Sequence, residues 1–126
     1  MIKIDKITDK DLINNLVKKY SLTIPNGNFI LGITEQSELL EFVQYSMESD
    51  HINIKYISQI SNDFCLYDAL MKTLIFYADL SKLRYIKTDS NHSDFISKMK
   101  FDLVQGEYIF DIYDMDKQKC KCEKEV

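Results

Sequence analysis

His51-Ile52-Asn53-Ile54-Lys55-Tyr56-Ile57, followed after Ser61-Asn62-Asp63 by Leu66, Leu70, Leu74 and Ala78 at helical spacing, decides how this chain folds. The first run is β-branched and aromatic, as a half-buried strand requires. Strict alternation puts Ile52, Ile54 and Tyr56 on one face, and the strand is expected over residues 51–60. Ser61, Asn62 and Asp63 supply helix-cap chemistry, because their side-chain oxygens accept from the unpaired N–H groups of a first turn. The helix beyond them is the most strongly apolar in the chain, with Met71, Ile75 and Tyr77 beside the main stripe. It is expected to lie across a sheet. Residues 83–88 read as the next strand. A strand, a crossover helix and a strand imply a parallel pair with a right-handed connection.

Upstream, the sole proline, Pro25, stands beside Asn26-Gly27 and marks a turn. Phe29-Ile30-Leu31-Gly32-Ile33 reads as a strand, Glu35-Gln36-Ser37-Glu38 as a polar hairpin connection, and residues 39–47 as the returning strand. Before the turn, Thr8 reads as a helix cap with acidic Asp11 three positions on. Leu12, Ile13, Leu16, Val17 and Tyr20 follow at helical spacing. Ile2 and Ile4 suit a short edge strand. Downstream, residues 94–99 form a short helix, and residues 101–104 and 108–115 finish as strands around Gln105-Gly106. The order is β-α-β-β-β-α-β-α-β-β.

Length and charge bound the rest. A chain of 126 residues with 45% hydrophobic content fits one domain. Such a domain buries roughly two-thirds of the surface its unfolded chain exposes, so it needs neither disulfide nor metal to fold. Residues 1–116 read as that domain and residues 117–126 as a flexible polar tail. The net charge is −4 without a long basic block, so nucleic acid and anionic membrane are poor partners. No run of roughly 18 apolar residues is present to span a bilayer. The first six residues lack the apolar run of a signal peptide. With three cysteines and no export signal, reduced thiols in a cytoplasm are the simplest expectation.

This order resembles the GNAT acyltransferases over roughly residues 1 to 115. Leu31-Gly32-Ile33 and residues 39–45 resemble that family's second and third strands. Ile54-Lys55-Tyr56-Ile57, with Ala69-Leu70-Met71-Lys72-Thr73-Leu74-Ile75-Phe76-Tyr77-Ala78, resembles its fourth strand and the helix after it. Phe95-Ile96-Ser97-Lys98-Met99-Lys100-Phe101 is similar to its segment Phe-Tyr-x-Lys-x-Gly-Phe. The resemblance implies an α/β (α+β) fold with a mixed, splayed β-sheet and helices on both faces. It implies acetyl-CoA as cofactor, a small amine or peptide as acceptor, and a homodimer.

On that resemblance, backbone groups of Ile57, Ser58 and Gln59 would hold the pantetheine arm. Asp63, Phe64, Cys65, Leu66 and Tyr67 would form the pyrophosphate loop at the next helix start, where unpaired N–H groups and the helix dipole favour anions. The family pattern there is Gln/Arg-x-x-Gly-x-Gly/Ala. Here its positions hold Asn62, Cys65 and Tyr67, and Gly27, Gly32 and Gly106 all lie elsewhere. Asp63 and Asp68 add like charge, which opposes anion binding. The family's proton-donating Tyr is Ile96, which transfers no proton. Its glycine before the final Phe is Lys100.

The residues with chemistry each have a plain alternative. Cys65 is a reactive thiol at a helix start or a small buried apolar residue. Cys120-Lys121-Cys122 is a soft-metal or redox pair or part of a solvated tail. Glu41 is a general base, or a solvent-facing or ion-paired strand residue. Tyr45 and Tyr56 line an acceptor groove or sit in the core. His51 and His92 read as surface and turn residues. The leading expectation is an acetyl-CoA-dependent N-acetyltransferase-like protein with an altered cofactor loop and no assigned catalytic residue. The alternative is a non-catalytic binding or dimerisation module of the same fold that binds no acetyl-CoA.

Overall fold

The computed structural model describes residues 2–61, 63–88 and 93–114. In chain order the elements are β1 (Ile2–Lys6), α1 (Lys10–Tyr20), β2 (Asn28–Glu35), β3 (Glu38–Met47), β4 (His51–Ile57), α2 (Phe64–Leu80), β5 (Tyr85–Thr88), α3 (Ser93–Lys98), β6 (Asp102–Val104) and β7 (Glu107–Asp111). This is the order expected from the sequence. The strands form one seven-stranded sheet, β1-β2-β3-β4-β5-β7-β6. Every neighbouring pair is antiparallel except β4 and β5, which run parallel.

Two hydrophobic layers cover the sheet. On one face α2 brings Tyr67, Leu70, Met71, Leu74 and Ala78 onto Leu31, Val43, Tyr45, Ile54 and Ile86, and Phe95 and Phe101 extend this layer. Each fully buried aliphatic side chain there contributes about 1.5–3 kcal/mol. On the other face α1 packs Leu12, Ile13, Leu16 and Tyr20 onto Ile30, Phe42 and Tyr56. Helices therefore lie on both faces. The α1 cap is Asp9, one residue later than the sequence suggests. Its carboxylate accepts from the N–H groups of Asp11 at 2.9 Å and Leu12 at 3.4 Å.

Two β-bulges correct the simple alternation. Gln44 pairs with Tyr56 and Tyr45 with Ile54, so Lys55 is an extra residue in β4. Ile52, Ile54 and Ile57 consequently face α2, while Tyr56 turns to the α1 side. In β3, Ile33 pairs with Glu41 and Thr34 with Leu39, which leaves Leu40 extra. Glu41 then shares the α2 side with its partner Ile33. A one-residue slip reverses a strand's faces, and each bulge makes that reversal locally. The pairing of β4 with β5 runs from His51–Tyr85 to Ile54–Thr88. Thr88 ends β5, while β4 runs on to Ile57.

The chain makes its sharp turns with almost no glycine. Among the described residues Ser21, Gln36, Ser37, Lys82, Lys100 and Gln105 have positive φ. Gln36 and Ser37 form the two-residue connection of the β2–β3 hairpin, where both central residues need that conformation. Lys82 and Lys100 end α2 and α3. Each is followed by an N–H that reaches back to close the last turn, Leu83 to the Ala78 carbonyl at 2.8 Å and Phe101 to the Ile96 carbonyl at 3.1 Å. This is the Schellman arrangement, whose left-handed position favours glycine. Lys100 thus keeps the backbone shape expected of the glycine it replaces.

A side chain in the left-handed region costs roughly 1–2 kcal/mol, partly offset by the greater unfolded-state freedom of glycine. Lys82→Gly and Lys100→Gly are each expected to stabilise the fold by about 0.5–1 kcal/mol, and Lys100→Val to destabilise it, as read from urea midpoints.

Candidate functional site

The segment from the end of β4 into α2 carries all eight residues expected to touch a cofactor. Ile57 and Ser58 are buried, Gln59 is exposed, Asp63 and Cys65 are exposed, Phe64 and Leu66 are half-buried, and Tyr67 is buried. They lie where β4 leaves β5. At the point of parting, the Thr88 hydroxyl donates to the Ile54 carbonyl at 3.1 Å.

The turn between β4 and α2 is organised by Glu41. Its side chain is fully buried. The Ile60 N–H donates to both carboxylate oxygens at 3.1 Å, the Ser61 N–H to one of them at 2.6 Å, and the Ser61 hydroxyl to the same oxygen at 2.8 Å. The Ser58 hydroxyl donates to the other oxygen. Ser58 in turn accepts from the Phe42 N–H at 2.8 Å, while its own N–H donates to the Phe42 carbonyl at 3.0 Å. A buried carboxylate is tolerated only with such a donor set. Glu41 is therefore not solvent-facing, and among the described residues N–H and hydroxyl donors hold its carboxylate. Its lone pairs are committed to a turn.

The helix start is filled in the same way. Asp63 caps α2, its carboxylate accepting from the Cys65 N–H at 2.9 Å. Tyr67 turns inward, where its hydroxyl donates to the Ser58 carbonyl at 3.0 Å and its ring meets Phe95 edge-on at 5.7 Å. Its side chain thus spans from α2 to the end of β4 and to α3. The Lys98 ammonium of α3 lies over the Phe64 ring at 5.5 Å from the centroid. Cys65 is exposed and disulfide-bonded, which corrects both the buried-thiol and the reduced-thiol expectations.

The remaining candidates are spread out. Tyr45 is buried on the α2 side, and its hydroxyl has no hydrogen-bond partner among the described residues. Burial pushes its phenol well above the usual range, so it stays protonated. Tyr56 is on the other face, tilted against Tyr20 and Phe42. His51 is half-buried, its Nδ1 2.6 Å from the Asp50 carboxylate. That contact lowers the Asp50 carboxyl below its usual range. Ile96 is buried. Asn62, His92, Cys120 and Cys122 lie outside the described residues, as does the 117–126 tail. Among the described residues no cluster of three or more His, Cys, Asp or Glu is arranged to hold a metal ion. No described helix is long and apolar enough to cross a membrane.

No protein-family model and no curated protein matches the sequence. The structure does match solved ones. An N-acetyltransferase from Staphylococcus aureus Mu50 superposes with a TM-score of 0.65 at 17% identity, covering 90% of this chain and 99% of the other. A protein from Desulfovibrio desulfuricans assigned to the GNAT acetyltransferases gives 0.68 at 12% identity, covering 89% and 99%. The PaiA N-acetyltransferase of Thermoplasma acidophilum, solved with coenzyme A, gives 0.60 at 10% identity, covering 86% and 96%. At these identities the likeness is one of fold. The chain has the GNAT fold over nearly the full length of these proteins.

Removing the charge at Glu41 leaves buried N–H and hydroxyl donors against a neutral amide. Glu41→Gln is expected to cost about 3 kcal/mol, and Tyr67→Phe about 1 kcal/mol, in urea unfolding. A near-neutral Glu41→Gln would show that the turn does not depend on the carboxylate.

Proposed function

We propose that this chain is an acetyltransferase-like protein of GNAT fold whose cofactor cleft is closed from within, so that it acts as a binding module and not as a transferase. One observation carries the reading. Three backbone donors between β4 and α2, the N–H groups of Ile60, Ser61 and Cys65, are already occupied by the carboxylates of Glu41 and Asp63. A pyrophosphate is held by exposed N–H groups at a helix start and by the positive end of its dipole. Here it would have to displace one or both carboxylates, or sit beside them at close range. The first leaves a buried charge without donors, and the second sets like charges together. Residues 63–67 do not fit a bound pyrophosphate on this reading.

The pantetheine arm meets a second obstacle. The Ser58 carbonyl accepts from Tyr67, the Ser58 N–H donates to Phe42, and Tyr67 and Phe95 fill the space between β4, α2 and α3. No step of acyl transfer is derived from such a cleft. Ile96 also supplies no acid at the position where the resemblance calls for one.

Transferase activity is the second reading, and one feature favours it. β4 carries a bulge at Lys55 and runs three residues past its last pairing with β5, at Ile54. Bulges of this kind are enriched beside active sites. On this reading Ile57, Ser58 and Gln59 serve acetyl-CoA through their backbone, residues 63–67 form an altered loop, and the acceptor is a small amine or peptide.

Calorimetric titration of the full chain with acetyl-CoA and with coenzyme A separates the two. No binding heat is expected up to about 1 mM ligand, against the micromolar-to-millimolar range in which enzymes hold substrates. Saturable heat that disappears in Ser58→Pro or Tyr67→Trp, with both variants folded by circular dichroism, would restore the transferase.

A further inference from the structure

The sheet face opposite α2 holds a cavity that the reading above does not use. Residues 21–28 cross this face between α1 and β2, and Leu22 and Ile24 pack into the same cluster as Phe42 and Tyr56. Gln44 of β3 fastens the crossing segment. Its Nε2 donates to the Thr23 carbonyl and to the Asn28 side-chain oxygen, each at 2.9 Å. The space left between this segment, β3 and β4 is a groove largely open to solvent, with a volume of about 360 Å³. That lies within the range of small-molecule sites, roughly 300–1,000 Å³.

The lining is specific in its chemistry. Leu22, Pro25 and the Tyr56 ring provide apolar wall. Lys55 is the one charged side chain on that lining. It follows Ile54 in alternation onto this face and is the extra residue of the β4 bulge. It forms no ion pair with a described residue. The Tyr56 hydroxyl is likewise unengaged among the described residues. Burial pushes its phenol up, so it remains a neutral donor. No Asp or Glu lines the space.

We propose that this cavity binds a small carboxylate with a short apolar body, its charge on Lys55 and its hydrocarbon between Leu22, Pro25 and Tyr56. The selection follows from desolvation. A carboxylate entering a partly apolar pocket must recover its lost hydration through charge-assisted bonds. Lys55 and the Tyr56 hydroxyl supply them. An amine, the acceptor the fold would suggest, meets a cation on the wall and no carboxylate to pair with. The site is on the opposite face from the α2 start and stands whether or not coenzyme A binds there.

Amide chemical-shift titration of the full chain with hexanoate, hexanamide and hexylamine tests the assignment. Hexanoate is expected to perturb residues 21–28, 44, 55 and 56 saturably, with hexanamide about tenfold weaker or worse. Lys55→Met should remove that preference without moving the urea midpoint, since Lys55 is exposed. Lys55→Arg should retain it. Hexanamide or hexylamine binding as well as hexanoate, shifts confined to other residues, or no shift at about 20 mM hexanoate would each overturn the proposal. A coenzyme A titration in parallel, read at residues 57–67, reports the other site, so failure of one reading is distinct from failure of the other.

Discussion

The fold turns on one buried carboxylate. Between β4 and α2 the chain must reverse from strand to helix over a few residues, and its N–H groups there have no partner in either element. Glu41 reaches them from β3 and takes two backbone N–H groups and two hydroxyls at once. A charge in that position is tolerable because of those donors, and the donors are tolerable when buried because of the charge. The arrangement links β3, the end of β4 and the start of α2, the three pieces whose relative placement defines the splayed sheet.

The scarcity of glycine means something different once the whole backbone is considered. A loop with Cys65 and Tyr67 at two small-residue positions reads, by itself, as the loss of a phosphate site. Yet Ser21, Lys82 and Lys100 also stand at helix ends in the left-handed conformation, and Gln36 and Ser37 do so in a hairpin. The chain dispenses with glycine where function is not at issue. The stronger argument about the cleft therefore comes from its occupants. Asp63 caps the helix, Glu41 fills the turn, and Tyr67 with Phe95 fills the space beyond it.

The β4 bulge redistributes chemistry between the faces. It leaves Lys55 as an extra residue and sends Tyr56 to the α1 side, whereas Glu41 faces α2 in ordinary alternation with Val43 and Tyr45. Without that bulge, the groove beneath residues 21–28 would lose its aromatic wall. The effect comes from a single inserted residue, because side chains alternate with a period of two.

Element order, the two-faced apolar pattern and the parallel β4–β5 pair were legible in the sequence, because they follow from local periodicity and from the residues that start and stop helices. Helix starts were legible to within a residue, since Asp9 rather than Thr8 caps α1. The eight residues at the β4–α2 junction could be named from sequence because they are contiguous. Their state could not. Glu41 stands 17 residues before Ser58 in sequence, and nothing local in Leu39-Leu40-Glu41-Phe42 reveals that the carboxylate meets the β4–α2 turn. Tyr67 outcompeted Leu66 for the interior because a hydroxyl partner, the Ser58 carbonyl, waits there. Periodicity along one chain segment determines which elements form. Which polar group meets which donor is decided only when distant strands come into register, and that register rests on bulges that leave no signature of their own.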